Sequence, residues 1–86
     1  MYERNIHTIR TLLITEDLPA AGRLARFLYS ENFQIKVATT SAHSMDILSC
    51  ENVDIVLLDI SSAESGYSLC HTIKEQFDIP VIIISP

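Results

Sequence analysis

A doubly wound α/β fold with a parallel sheet is predicted by three observations. Residues 11–15, 53–58 and 81–85 are apolar runs that do not alternate strictly with polar residues, the pattern of strands buried on both faces. Segments with helical spacing lie between them. The connections are short, so each helix must cross from one strand to a parallel neighbour, with right-handed crossovers. The predicted order is β-α-β-α-β-α-β.

Residues 1–9 read as an N-terminal extension, with Ile6 and Ile9 leading towards the first strand at 11–15. Glu16-Asp17-Leu18-Pro19 follows, and Pro19 suits the first turn of a helix, where its missing N–H needs no partner. Ala21, Leu24, Ala25 and Leu28 then share a helical face that Arg23 and Arg26 avoid, and Asn32 suits the helix C-cap. From Phe33 to Ala38 the chain alternates, with Gln34 and Lys36 between Phe33, Ile35 and Val37, as expected of a strand nearer the sheet edge. Thr39, Thr40 and Ser41 are N-cap candidates for a second helix through Ala42, Met45 and Leu48. After the strand at 53–58, residues 61–66 are rich in turn formers and predict a loop. Leu69, Ile73 and Phe77 mark a third helix, and Pro80 introduces the last strand at 81–85.

Composition narrows the function. The chain has 86 residues, 48% hydrophobic and 20% charged, with a formal net charge of −5. This is one globular domain at most, and its acidity argues against direct binding of nucleic acid. No apolar stretch reaches the ~20 residues that span a bilayer, and the N-terminus does not resemble a secretion signal, so a soluble cytoplasmic protein is expected. Cys50 and Cys70 lack metal or redox spacing and read as reduced, partly buried thiols. His7, His43 and His71 read as surface or boundary residues with no metal-ligand partner four residues on.

The chemistry concentrates in the acids. Glu16 and Asp17 follow the first buried strand and Asp59 follows the third. In open parallel sheets, ligand sites gather outside the carboxyl ends of the strands. If these strands are neighbours, three carboxylates converge there, and an all-oxygen set of this kind suits Mg²⁺ better than zinc or copper. Taken alone, Glu16 and Asp17 would also serve a helix N-terminus electrostatically, and Asp59 could cap a turn.

The chain as a whole resembles the receiver domain of two-component response regulators, over residues 10–86. Leu12-Leu13-Ile14-Thr15-Glu16-Asp17 is similar to that family's first strand and acidic pair. Asp54-Ile55-Val56-Leu57-Leu58-Asp59-Ile60 resembles its third strand and phosphoacceptor, and Ile79-Pro80-Val81-Ile82-Ile83-Ile84-Ser85 its fourth strand and switch hydroxyl. The resemblance implies a flavodoxin-like sheet of order 2-1-3-4. It implies that Asp59 accepts a phosphoryl group from the phosphohistidine of a sensor histidine kinase or phosphotransfer protein. Glu16, Asp17, Asp59 and the backbone carbonyl of Ser61 would hold Mg²⁺, and Ser85 would turn towards the phosphoryl oxygens. Such a domain is a switch rather than an enzyme with turnover, and in a longer parent it would commonly precede a DNA-binding output domain.

The chain departs from the family in three places. It ends at Pro86, before the fifth strand and its lysine, roughly two-thirds of the way through the domain; Lys36 and Lys74 fall in other elements. An uncovered sheet edge is then expected, open to self-association or domain exchange. Pro86 offers no N–H where the family places a small residue. Ser61, Ser62 and Ala63 replace a bulkier loop, leaving room for water beside an acyl phosphate. The missing lysine and Pro86 favour a second reading, a degenerate receiver acting as a phosphorylation-independent interaction module, whereas the intact Glu16-Asp17 and Asp59 favour the first; Mg²⁺ binding would distinguish them. A nucleotide- or flavin-binding relative of the same fold is disfavoured, because no glycine-rich phosphate loop follows any strand.

Overall fold

The computed structural model describes residues 8–29, 33–59 and 63–84. They form β1 (Ile9–Ile14), α1 (Leu18–Tyr29), β2 (Phe33–Ala38), α2 (Ser41–Cys50), β3 (Ile55–Asp59), α3 (Ala63–Gln76) and β4 (Val81–Ile84). The strands make one sheet in the order β2-β1-β3-β4, and every pairing is parallel. The predicted architecture and strand order are both present, but β4, read from its apolar run as buried on both faces, pairs only with β3 among the described residues and leaves Ile82 and Ile83 exposed.

β1 lies at the centre of the sheet and is buried from Thr11 onward, which is why its sequence does not alternate. One sheet face carries Leu12 and Ile14 of β1 beside Ala38, Val56 and Leu58. Ile47 and Leu48 of α2 and Ile73 of α3 close over that face. Ile73 is fully buried, and Leu69 and Phe77 pack beside it, so the predicted stripe of α3 is the one that docks. Leu13 faces the other way, towards a cleft that it lines with Ala21 and Leu24 of α1. Arg23 and Arg26 are exposed, as their spacing predicted.

Element ends differ from the sequence reading, each for a physical reason. β1 begins at Ile9 rather than at residue 11, because Ile9 and Arg10 pair in register with Phe33 and Gln34. The Arg10 amide also donates to Asp54 Oδ2 at 2.8 Å, and its carbonyl accepts from the Asp54 amide at 2.8 Å. That exchange ties Asp54 to the start of β1, so β3 begins at Ile55 and not at residue 53. Asp59 is consequently the last residue of β3, paired with Ile84, rather than the first residue of a loop.

α3 begins at Ala63, inside the segment predicted as a loop; Ala63 and Glu64 are strong helix formers and outweigh the turn-forming residues around them. α1 ends at Tyr29, and Asn32 lies outside the described residues. α2 starts as expected, with Thr40 as N-cap in extended backbone accepting from the His43 amide at 3.1 Å. Its buried face is Ser44, Ile47 and Leu48, whereas Ala42 is exposed. Ser44 tolerates burial because its hydroxyl donates to the Thr40 carbonyl at 2.8 Å.

Cys50, expected to be partly buried, is exposed at the end of α2; Cys70 is partly buried, and both are free thiols. His71 is a surface residue, as expected, and pairs with Glu75 at 2.8 Å on the exposed side of α3. Among the described residues, no helix is long and apolar enough to cross a membrane.

Candidate functional site

Because β1 and β3 are neighbours, their carboxyl ends meet at one edge of the sheet. Thr15 follows β1 directly and is 4% exposed; its amide donates to the Ala38 carbonyl at 3.0 Å, so β2 holds it in place. Glu16 and Asp17 then turn out into solvent. The Asp17 carbonyl accepts the first helical bond of α1, from the Ala21 amide at 2.9 Å. Asp17 therefore stands at the N-terminus of α1, where the helix dipole favours negative charge.

Asp59 is partly buried at the end of β3. Its Oδ2 accepts a hydrogen bond from the Thr15 hydroxyl at 2.6 Å, and the Thr15 Oγ1 in turn accepts from the Asp17 amide at 3.0 Å. Asp59, Asp17 and Thr15 line one cleft together with Ala21, Leu24 and Ile84. This juxtaposition pairs two acidic side chains with a hydroxyl on an otherwise apolar floor. An anion leaving or entering here meets low dielectric below and water above.

Of the predicted site residues, the structure brings Asp17 and Asp59 to the same cleft. Glu16 is exposed and does not line it. Ser61 and Ser85 lie outside the described residues, as does Pro86. Among the described residues, no group of three His, Cys, Asp or Glu side chains is placed to hold a metal ion. The cleft nevertheless offers oxygen donors alone, two of them carboxylates. That set fits Mg²⁺, which keeps several waters and needs only one or two carboxylates from the protein. Neither Lys36 nor Lys74 reaches the cleft: Lys36 pairs with Glu51 at 2.5 Å on the surface, and Lys74 lies in the last turn of α3.

Thr15 is the site residue that sequence reasoning missed. It was read only as the end of a buried strand. A polar β-branched residue buried between that strand and two acids is the signal that could have found it, since a buried hydroxyl needs a partner.

Comparison with known proteins bears on the fold that carries this cleft. No protein-family model matches the chain. The heme response regulator HssR of Staphylococcus epidermidis is 33% identical over 78 residues, covering 90% of this chain and 35% of that protein. The protein of the same name in Staphylococcus saprophyticus is 29% identical over 75 residues, covering 86% of this chain and 34% of its own length. This chain thus spans about a third of the length of the curated relatives it matches.

Among solved structures, a response regulator from Thermotoga maritima superposes with a TM-score of 0.86 at 22% identity, over 92% of this chain and 67% of that one. Response regulator TrrA of the same organism, solved in complex with Mg²⁺-BeF, superposes with a TM-score of 0.80 at 24% identity, over 91% of this chain and 70% of that one. The chain is a homologue of response regulators, and the described part has the fold of their receiver domain.

Proposed function

We propose that this chain is a phosphoacceptor switch of a two-component system, with Asp59 as the acceptor. The observation that carries the reading is the placement of Asp59: it ends a buried central strand, shares a cleft with Asp17, and has its carboxylate held by Thr15. In the transfer, an Asp59 carboxylate oxygen attacks the phosphorus of a phosphohistidine. The P–N bond breaks, its electron pair returns to the imidazole of the sensor kinase or phosphotransfer protein, and that ring leaves as the neutral base once it takes a proton from solvent.

Asp17 and Asp59 would hold Mg²⁺, with Glu16 acting through water from outside the cleft and the Ser61 carbonyl as a further ligand. The ion supplies charge neutralisation between phosphoryl oxygens and carboxylates, the main requirement of phosphoryl transfer. Asp17 keeps the anionic site at the N-terminus of α1, and Leu13, Ala21 and Leu24 exclude water from beneath it. Ser85, next after β4, would donate its hydroxyl to the phosphoryl oxygens and carry the change to the surface read by partners. The protein is a cytoplasmic switch without turnover, and a longer parent would carry an output domain, most simply one that binds DNA. The greater length of the curated relatives supports that last step.

A second reading, an interaction module that works without phosphorylation, is favoured by one observation: no lysine or arginine lines the cleft among the described residues. Intact-mass analysis after incubation with Mg²⁺ and acetyl phosphate decides between them. A phosphate adduct on the parent chain and none on Asp59→Asn is the expected result. A folded parent chain without an adduct would overturn the acceptor reading in favour of the interaction module.

A further inference from the structure

We infer that Thr15 is a positioning residue that sets how long Asp59 keeps its phosphoryl group. This rests on Asp59 being the acceptor. The Thr15 hydroxyl has one proton and is buried between two partners. The Asp17 amide can only donate, and it donates to Oγ1 at 3.0 Å. The hydroxyl proton is therefore directed to Asp59 Oδ2, at 2.6 Å, a length typical of a hydroxyl on a charged acceptor. Amide, hydroxyl and carboxylate form a chain in which each bond polarises the next. The stiffness of a β-branched side chain fixes the hydroxyl's direction, and β1 and β2 fix its backbone.

The two Asp59 oxygens are thereby made unequal. Oδ2 is engaged, and among the described residues Oδ1 has no hydrogen-bond partner, so Oδ1 is the oxygen that takes the phosphoryl group. In the acyl phosphate, Oδ2 is a carbonyl oxygen of reduced charge, and its bond from Thr15 is weaker. During hydrolysis, water attacks phosphorus and the P–Oδ1 bond breaks. Its electron pair passes to the Asp59 carboxylate, and dihydrogen phosphate leaves with both water protons. Negative charge grows on Oδ2 as this happens, so the Thr15 bond is stronger in the transition state than before it. An interaction of that kind accelerates the step.

The test loads the full 86-residue chain with acetyl phosphate and Mg²⁺, removes the donor, and follows loss of the adduct by intact mass. Thr15→Val keeps the shape and removes the hydroxyl; its adduct should outlast the parent's about three- to tenfold. Thr15→Ser should decay at close to the parent rate, a rescue that a merely structural role for the methyl group would not produce. The pair Thr15→Ser and Thr15→Ala makes the same comparison on a smaller frame if valine disturbs folding. Equal decay with and without the hydroxyl overturns the inference and leaves the acceptor reading intact. A parent chain that takes no adduct overturns the acceptor reading itself, and the inference with it.

Discussion

Asp17 and Glu16 are neighbours in sequence with different access to Asp59, and that difference has a measurable consequence. Both side chains are exposed, but Asp17 lines the cleft at the start of α1 and Glu16 does not. A cation between Asp17 and Asp59 is shielded from water on its apolar side, where charge counts for more than it does at an exposed position. Asp17→Asn should therefore weaken Mg²⁺ binding about tenfold or more, and Glu16→Gln by no more than about threefold. Isothermal titration calorimetry of the two variants measures this directly; equal losses would mean that both acids approach the ion alike. The place of these acids at the end of a central strand was legible in the sequence because they follow a run too apolar to be exposed. The role of Thr15 was not, because a threonine at a strand end usually signifies only β propensity. What distinguishes it is a partner 44 positions along the chain, visible only once β1 and β3 lie side by side.

At the scale of elements, strand identity was legible and element ends were not. The unbroken run of β1 belongs to the centre of the sheet and the alternation of β2 to its edge, but the equally unbroken run of β4 lies at the other edge, so the pattern alone does not fix a strand's place. The ends depend on contacts that composition does not carry. The Arg10–Asp54 exchange delays β3 until Ile55, and Ser44 joins the buried face of α2 by hiding its hydroxyl against the Thr40 carbonyl. Packing of α3 shows how much a single correct stripe can hold. Ile73 is fully buried against the face of the sheet made by Leu12, Val56 and Leu58. Ile73→Ala should cost about 2–5 kcal/mol, a large part of the stability of so small a domain. Urea denaturation followed by circular dichroism reads the loss, and Lys36→Ala is its control. The exposed Lys36–Glu51 pair should contribute no more than about 1 kcal/mol. A cost for Ile73→Ala below that of Lys36→Ala would mean that α3 is not seated on the sheet.

At the scale of the whole sheet, the two edges formed by the described residues are unlike. β2 carries Gln34 and Lys36 outward, and a charged residue on an edge strand discourages further pairing. β4 is Val-Ile-Ile-Ile, with no charge along it, and Ile82 and Ile83 are 49% and 37% exposed. Successive residues of a strand point to opposite faces, so β4 presents apolar surface on both sides as well as a row of backbone groups beyond its pairing with β3. Such an edge is a template for another strand, and a second copy of this chain offers the same strand in return. Self-association through β4 is accordingly expected. Sedimentation velocity from about 1 to 100 μM should show a dimer growing with concentration. Burying an isoleucine contributes roughly 1.5–3 kcal/mol, so Ile82→Lys should weaken the dimer by at least about tenfold. The same substitution should leave monomer stability within about 0.5 kcal/mol, because the side chain is half exposed and outside the core. A parent chain that remains monomeric at about 100 μM would sink the idea. Loss of the fold in Ile82→Lys would instead place Ile82 inside the core, against the exposure that motivates the test.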